Sequence, residues 1–155
     1  LEPVAIRQAG TDDAAVLAGL ICAFRDYLDE PEPSDGQALA SVHTLLADPA
    51  TEFLLAGEPP QAFAALRFRH SVWTGSEDCW LEDLYVAADA RRTGLGRALT
   101  EACIARAREH GAKRIQLDAN ERNETAIALY ESLGFRCGRE HRYGGAKDLY
   151  FTKPL

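Results

Sequence analysis

Between residues 79 and 109 the spacing of apolar side chains changes from every second residue to every third or fourth, and the change falls on Arg91-Arg92-Thr93-Gly94-Leu95-Gly96. Cys79 to Val86 alternates as a strand does, whereas Leu95, Leu99, Ala102 and Ala105 recur as the inner stripe of a helix, with Arg97, Glu101 and Arg108 on more polar arcs. A strand, a glycine-bearing turn and a helix entrance in immediate succession leave few architectures open. Gly94 and Gly96 let backbone approach a ligand, and the first amides of a helix point outward with partial positive charge, so the segment can cradle a diphosphate. Arg91, Arg92 and Arg97 add fixed positive charge in a chain whose formal net charge is -7. The competing reading, that the glycines only shape a turn and a close helix contact, stands beside it. Other phosphate loops fit poorly: no Gly-Lys-Ser or Gly-Lys-Thr follows, and Leu99 stands where a dinucleotide fingerprint needs its third glycine.

The remaining elements follow from period and punctuation. Val4 to Arg7 is a short strand that runs into a helix capped by Thr11 or Asp12, and Ala14, Leu17, Ile21, Phe24 and Leu28 form that helix's apolar stripe. The stretch from Asp29 to Gly36 is too acidic and proline-rich to pack, and a second helix spans Gln37 to Leu46. Thr51 to Ala56 and Gln61 to Val72 form a hairpin, then comes the strand from Cys79 to Val86. Strict alternation puts Trp80, Glu82, Leu84 and Val86 on one side of it and Leu81, Asp83 and Tyr85 on the other, so Glu82 falls among apolar neighbours and needs a partner or a task. After the long helix, ended by Gly111, Ile115 to Ala119 is a strand. A helix carrying Ala126, Leu129, Tyr130 and Leu133 stops at Gly134, and Phe135 to Arg142 with Lys147 to Thr152 close a hairpin across Gly144-Gly145. Strand, two helices, three strands, helix, strand, helix and two strands make an α/β chain of mixed α+β character. No repeat or linker divides it, so residues 1–155 read as one domain.

Composition narrows the function classes. With 17 Lys and Arg against 24 Asp and Glu, the chain has no broad footprint for nucleic acid. No apolar run is long enough to span a membrane and no basic segment followed by an apolar run opens the sequence, which leads us to expect a cytoplasmic protein; Leu1 in place of Met points to processing or trimming. Cys22, Cys79, Cys103 and Cys137 stand singly, as buried or half-buried thiols, and no His or Cys spacing suggests a metal site.

Two motifs carry a resemblance. Val86-Ala87-Ala88-Asp89-Ala90-Arg91-Arg92-Thr93-Gly94-Leu95-Gly96 resembles the acyl-coenzyme A binding segment of the GNAT superfamily of N-acetyltransferases, with Arg, two variable residues, Gly, one variable residue and Gly. Asn123, Ala126, Tyr130, Gly134 and Phe135 resemble the family's late helix segment. Asp89 departs from the commonest pattern, which has Pro shortly before the loop. The resemblance implies a three-layer fold, with a central mixed, mostly antiparallel sheet of about seven strands and four helices. It implies acetyl-coenzyme A as donor cosubstrate without a metal. Amides of Arg92, Thr93, Gly94, Leu95 and Gly96 would hold the diphosphate, supported by Arg91 and Arg97. Leu84, Tyr85 and Val86 would pair with the pantetheine arm, and the neighbouring strand at Ile115 to Ala119 would splay to open a cleft. Asn123 would bond near the pantetheine, although a helix cap is an equally good role for it.

Acetyl transfer to an amine needs a neutral nitrogen, a polarised carbonyl and a protonated leaving thiolate. A backbone amide near Tyr85 or Val86 can face the carbonyl oxygen. Tyr130 is the candidate acid, because a phenol with a reference pKa of about 10 can protonate a departing thiolate. Packing on the helix's apolar face is its competing role. Glu82 is the candidate base, with partial burial expected to raise its pKa; a salt bridge is its competing role. Asp83, His70 and His110 read as structural, while His43 and His141 come from acceptor-side segments that could meet. The acidic run from Asp26 through Asp35 reads as a solvated loop or as an attractor for a cationic acceptor. The acceptor would be the primary amine of a small molecule; the alternatives are a protein N-terminus or lysine, and a non-catalytic coenzyme A binding module. The final strands leave homodimerisation open.

Overall fold

A computed structural model describes residues 3–143 and 146–155, with side chains described outside 139–147. The order is β1 (Ile6–Gln8), a 3₁₀ turn (Thr11–Asp13), α1 (Ala14–Tyr27), α2 (Asp35–Leu46), β2 (Thr51–Ala56), β3 (Ala62–Ser71) and β4 (Ser76–Val86). A second 3₁₀ turn (Ala88–Ala90) leads to α3 (Leu95–Glu109), β5 (Arg114–Asn120), α4 (Glu124–Ser132), β6 (Arg136–Tyr143) and β7 (Ala146–Pro154). The hydrogen-bonded strand order is β1-β2-β3-β4-β5-β7-β6. Among the pairs of described register, β4–β5 is parallel and the others antiparallel. This is the seven-stranded mixed sheet with four α-helices that the sequence led us to expect. The Gly144-Gly145 turn lies outside the described residues.

The chain gathers into two compact units, one from the N-terminus to Arg67 with Asp83–Cys103, the other Phe68–Glu82 with Ile104–Leu155. In the first unit, Ala14, Leu17 and Ala18 of α1 and Val42 of α2 pack on Phe53, Leu55, Phe63, Ala65 and Tyr85. Every residue of β2 is buried. The inner stripe of α1 ends at Phe24: Leu28, its C-cap, is exposed. The start of α1 also differs from expectation. Neither Thr11 nor Asp12 caps it; Asp13 accepts from the Gly10 amide at 2.8 Å and pairs with Arg7 at 2.7 Å, folding the preceding turn. The second helix begins at Asp35, two residues early, because Ser34 and Gln37 form a reciprocal capping box (3.2 and 2.9 Å).

In the second unit, β5 pairs with β7 from Arg114↔Pro154 to Asn120↔Asp148. Ile115, Leu117 and Ala119 are buried and alternate with exposed Asp118 and Asn120, while Gln116 between the first two is buried as well. The stacked His110 and Phe68 rings (3.7 Å between centroids) and the His110–Glu77 contact at 2.6 Å tie down the end of α3, so His110 is structural as read. Arg114 closes on buried Asp78 at 2.8 Å.

The inner positions of α3 are Leu95, Leu99, Thr100, Cys103, Ile104 and Ala107, whereas Ala105 is exposed and Ala102 half-buried. Small residues satisfy a helical period on either side, so alanine spacing misplaced the stripe by one position. Cys79 and Cys103 are buried and Cys22 half-buried as expected, but Cys137 is exposed.

Candidate functional site

The loop expected to hold phosphate lies wholly in the first unit. The 3₁₀ turn after Val86 brings the chain to Arg91, and Arg92 then adopts φ 62°, a left-handed backbone uncommon outside glycine. Gly94 follows at φ 82°. The Ala98 amide bonds back to the Gly94 carbonyl at 3.0 Å, so the amides of Leu95, Gly96 and Arg97 lie ahead of the helical ladder. Gly94 and Gly96 have different standing. A Cβ at Gly94 would meet nothing within 4 Å, so its backbone angle is what demands glycine; at Gly96 a Cβ would make an ordinary 3.7 Å contact with Val86. Thr93 and Thr100 return their hydroxyls to the carbonyls of Ala90 and Gly96.

Three arginines surround this turn in three states. Arg92 is exposed. Arg97 pairs with Glu101 at 3.2 Å across one helical turn, a half-exposed contact of small worth. Arg91 donates from Nε to the Val86 carbonyl at 3.0 Å and lays its guanidinium over the Tyr27 ring, 4.4 Å from the centroid, with Tyr85 at 5.8 Å. Outward amides at a helix start, two left-handed residues and guanidinium groups form a donor set suited to a diphosphate, so the residues fit coenzyme A. Tyr85 is a core residue by its ring, stacked on Phe24 at 5.1 Å; Leu84 and Val86 are half-buried.

The other expected residues lie in the second unit. Glu82 is exposed, which corrects the expectation of a partly buried carboxylate. The closely buried side of β4 carries Cys79, Leu81 and Tyr85, and the side bearing Trp80, Glu82, Leu84 and Val86 is more open. Counting divided the strand into these two sides without saying which is covered; Trp80 lies half-buried, stacked on Tyr150 at 6.0 Å. The described β4–β5 ladder pairs Cys79 with Ile115 and Trp80 with Gln116, stopping short of Glu82 and Asp118. Tyr130 is buried, its ring edge-on to Phe135 at 5.7 Å and tilted against Phe151 at 6.5 Å. Asn123 caps α4, accepting from the Ala126 amide at 3.3 Å.

Part of the acidic run is architectural. Arg25 bridges Asp26 at 2.9 Å and Asp35 at 2.8 Å and donates to the Pro33 carbonyl, closing the connection between α1 and α2. The guanidinium holds the Asp35 carboxyl below its usual range. Asp29, Glu30 and Glu32 remain exposed. His43 and His70 are exposed, and the side chain of His141 lies outside the described residues.

Sequence reading missed Tyr27, whose only local signal is an aromatic ring at the end of an apolar stripe, and the Trp80–Tyr150 pair with its Gln116–Tyr150 hydrogen bond. Among the described residues no group of three or more His, Cys, Asp or Glu could hold a metal, and no helix is long and apolar enough to cross a membrane.

Comparison with known proteins gives a consistent picture. The acetyltransferase (GNAT) family model matches residues 17–135. The uncharacterized N-acetyltransferase YhfO of Bacillus subtilis strain 168 is 32% identical over 132 residues, 84% of this chain and 88% of that protein. The aminoglycoside N(6')-acetyltransferase type 1 of Stenotrophomonas maltophilia is 31% identical over 154 residues, 97% of this chain and 93% of that one. A crystal structure from Arthrobacter sp. FB24, described as an acetyltransferase, superposes with a TM-score of 0.81 at 31% identity, covering 90% of this chain and 88% of the other. The chain therefore belongs to the GNAT family of acetyltransferases and is an acyl-coenzyme A N-acyltransferase.

Proposed function

We propose that residues 1–155 act as one acetyltransferase domain that moves the acetyl group of acetyl-coenzyme A to the primary amine of a small molecule by direct attack. The observation that carries the donor half is the start of α3, where left-handed Gly94 turns the amides of Leu95, Gly96 and Arg97 out of the helical ladder. The amides of Arg92, Thr93, Gly94, Leu95 and Gly96 hold the diphosphate, and the guanidinium groups of Arg91, Arg92 and Arg97 add charge-assisted contacts. Backbone of Leu84, Tyr85 and Val86 pairs with the amide-rich arm as an added strand would. Asn123, which caps α4, is the candidate residue to bond near the pantetheine.

Acetyl-coenzyme A supplies an activated thioester; the chain supplies position and proton movement. The amide of Tyr85 or Val86 donates to the carbonyl oxygen as negative charge grows on it. Glu82 takes the ammonium proton, directly or through water, and its exposure gives the proton a path to solvent. The Tyr130 hydroxyl gives its proton to the leaving sulfur and is restored by water. Asp29, Glu30 and Glu32 favour the approach of a cationic acceptor. The aminoglycoside-acetylating relative, similar along almost the whole chain, supports a small amine as acceptor.

Release of free thiol from acetyl-coenzyme A, measured with a panel of polyamines, aminoglycosides, amino acids and peptides, tests this. Turnover with small amines supports it. Turnover confined to peptides replaces the acceptor by a protein amine, and coenzyme A binding without thiol release on any acceptor makes the chain a non-catalytic binding module.

A further inference from the structure

The guanidinium of Arg91 is held on two sides by its own unit. Its Nε edge donates to the carbonyl of Val86, the last residue of β4, at 3.0 Å, and its face lies 4.4 Å from the centre of the Tyr27 ring at the end of α1. Tyr27 is itself placed by a column of rings running into the core: Tyr27 to Tyr85 at 6.3 Å, Tyr85 stacked on Phe24 at 5.1 Å, and Phe24 edge-on to Phe63 at 6.2 Å. Phe63 is fully buried and Tyr85 nearly so, whereas Tyr27 is 63% exposed. The outermost ring therefore contributes little to the core, yet it fixes the plane of a cation at the entrance of the phosphate loop.

With Nε bonded and one face covered, the two terminal nitrogens of Arg91 form the remaining edge. That edge presents parallel N–H donors, the geometry that suits a phosphate bidentately. A free arginine side chain would lose rotamer freedom on gripping an anion, whereas one already clamped at an edge and a face loses less. We infer that Tyr27 is a positioning residue for the acyl donor: its ring presets Arg91 for the diphosphate, and it thereby makes the end of α1 part of the donor site. The inference rests on the proposed role of the Arg91–Gly96 turn in binding coenzyme A.

Calorimetric titration of coenzyme A into the wild type, Tyr27→Leu, Tyr27→Phe, Arg91→Ala and the Tyr27→Leu/Arg91→Ala double variant tests it. Leu keeps apolar bulk without a π face, so Tyr27→Leu should raise Kd about two- to five-fold, the range expected of an exposed cation–π contact. Phe keeps the face and should retain wild-type affinity. In the Arg91→Ala background Tyr27→Leu should change nothing further, because the interaction it removes is already gone. Equal Kd for Tyr27→Leu and wild type overturns the inference and leaves the donor site standing, as does an equal loss with and without Arg91, which would mark Tyr27 as merely structural. No titratable binding to the wild type overturns the donor-site reading and the inference with it.

Discussion

Gly94 and Gly96 stand two residues apart at one helix entrance, and replacing each by alanine should move stability in opposite directions. Gly94 has φ 82°, and an added Cβ there would meet nothing within 4 Å. The cost of Gly94→Ala is thus conformational: holding an L-residue in the left-handed region costs about 1–2 kcal/mol, less a few tenths regained because the unfolded chain is stiffer. Gly96 lies inside α3, and its Cβ would make only an ordinary 3.7 Å contact with Val86. Alanine there relieves the entropy that glycine loses in a helix, so Gly96→Ala should stabilise by about 0.4–1 kcal/mol. Urea unfolding followed by far-ultraviolet circular dichroism would read both as midpoint shifts at constant slope. For a chain of this size a thermal midpoint should fall by roughly 2–8 °C for the first variant and rise by about 1–4 °C for the second. A Gly94→Ala protein as stable as wild type would refute the left-handed turn, and a Gly96→Ala protein destabilised by more than about 1 kcal/mol would refute the open contact with Val86.

Asp13 gives a pH prediction. The Arg7 guanidinium and the Gly10 amide push its carboxyl down from 3.8 to about 2. Since the folded value lies below the unfolded one, its stabilisation is complete above about pH 4 and is lost as pH falls through about 2. With Arg7 half-exposed to solvent, Asp13→Asn should cost only about 1 kcal/mol at neutral pH, and urea unfolding at pH 2 should show the two proteins converging. Tyr130→Phe preserves the ring packing on Phe135 and Phe151, so turnover should fall about 100-fold while calorimetric affinity for coenzyme A holds; unchanged turnover across pH would remove Tyr130 as the acid. Glu82→Gln should lower turnover most at low pH, where free amine is scarce, and an unaltered pH–rate profile would remove Glu82 as the base.

Several features of the chain are local and could be read residue by residue. The order of strands and helices follows from period and punctuation, and the turn at Arg91–Gly96 announces itself because its charge, its glycines and its place between strand and helix all act within a few residues. The capping box at Ser34 and Gln37 was equally local and would have located the start of α2. The open position of Glu82 was not legible: alternation divides a strand into two faces without saying which one neighbouring elements will cover, and the face with larger apolar residues proved the more open. The exposure of Cys137 was hidden for the same reason. Nor could the sequence show that Tyr27 clasps Arg91, or that Arg25 draws Asp26 and Asp35 together, because such contacts join side chains whose nearness is set by packing. Local rules govern backbone and period, whereas burial and the pairing of distant charges exist only once the elements have closed on one another.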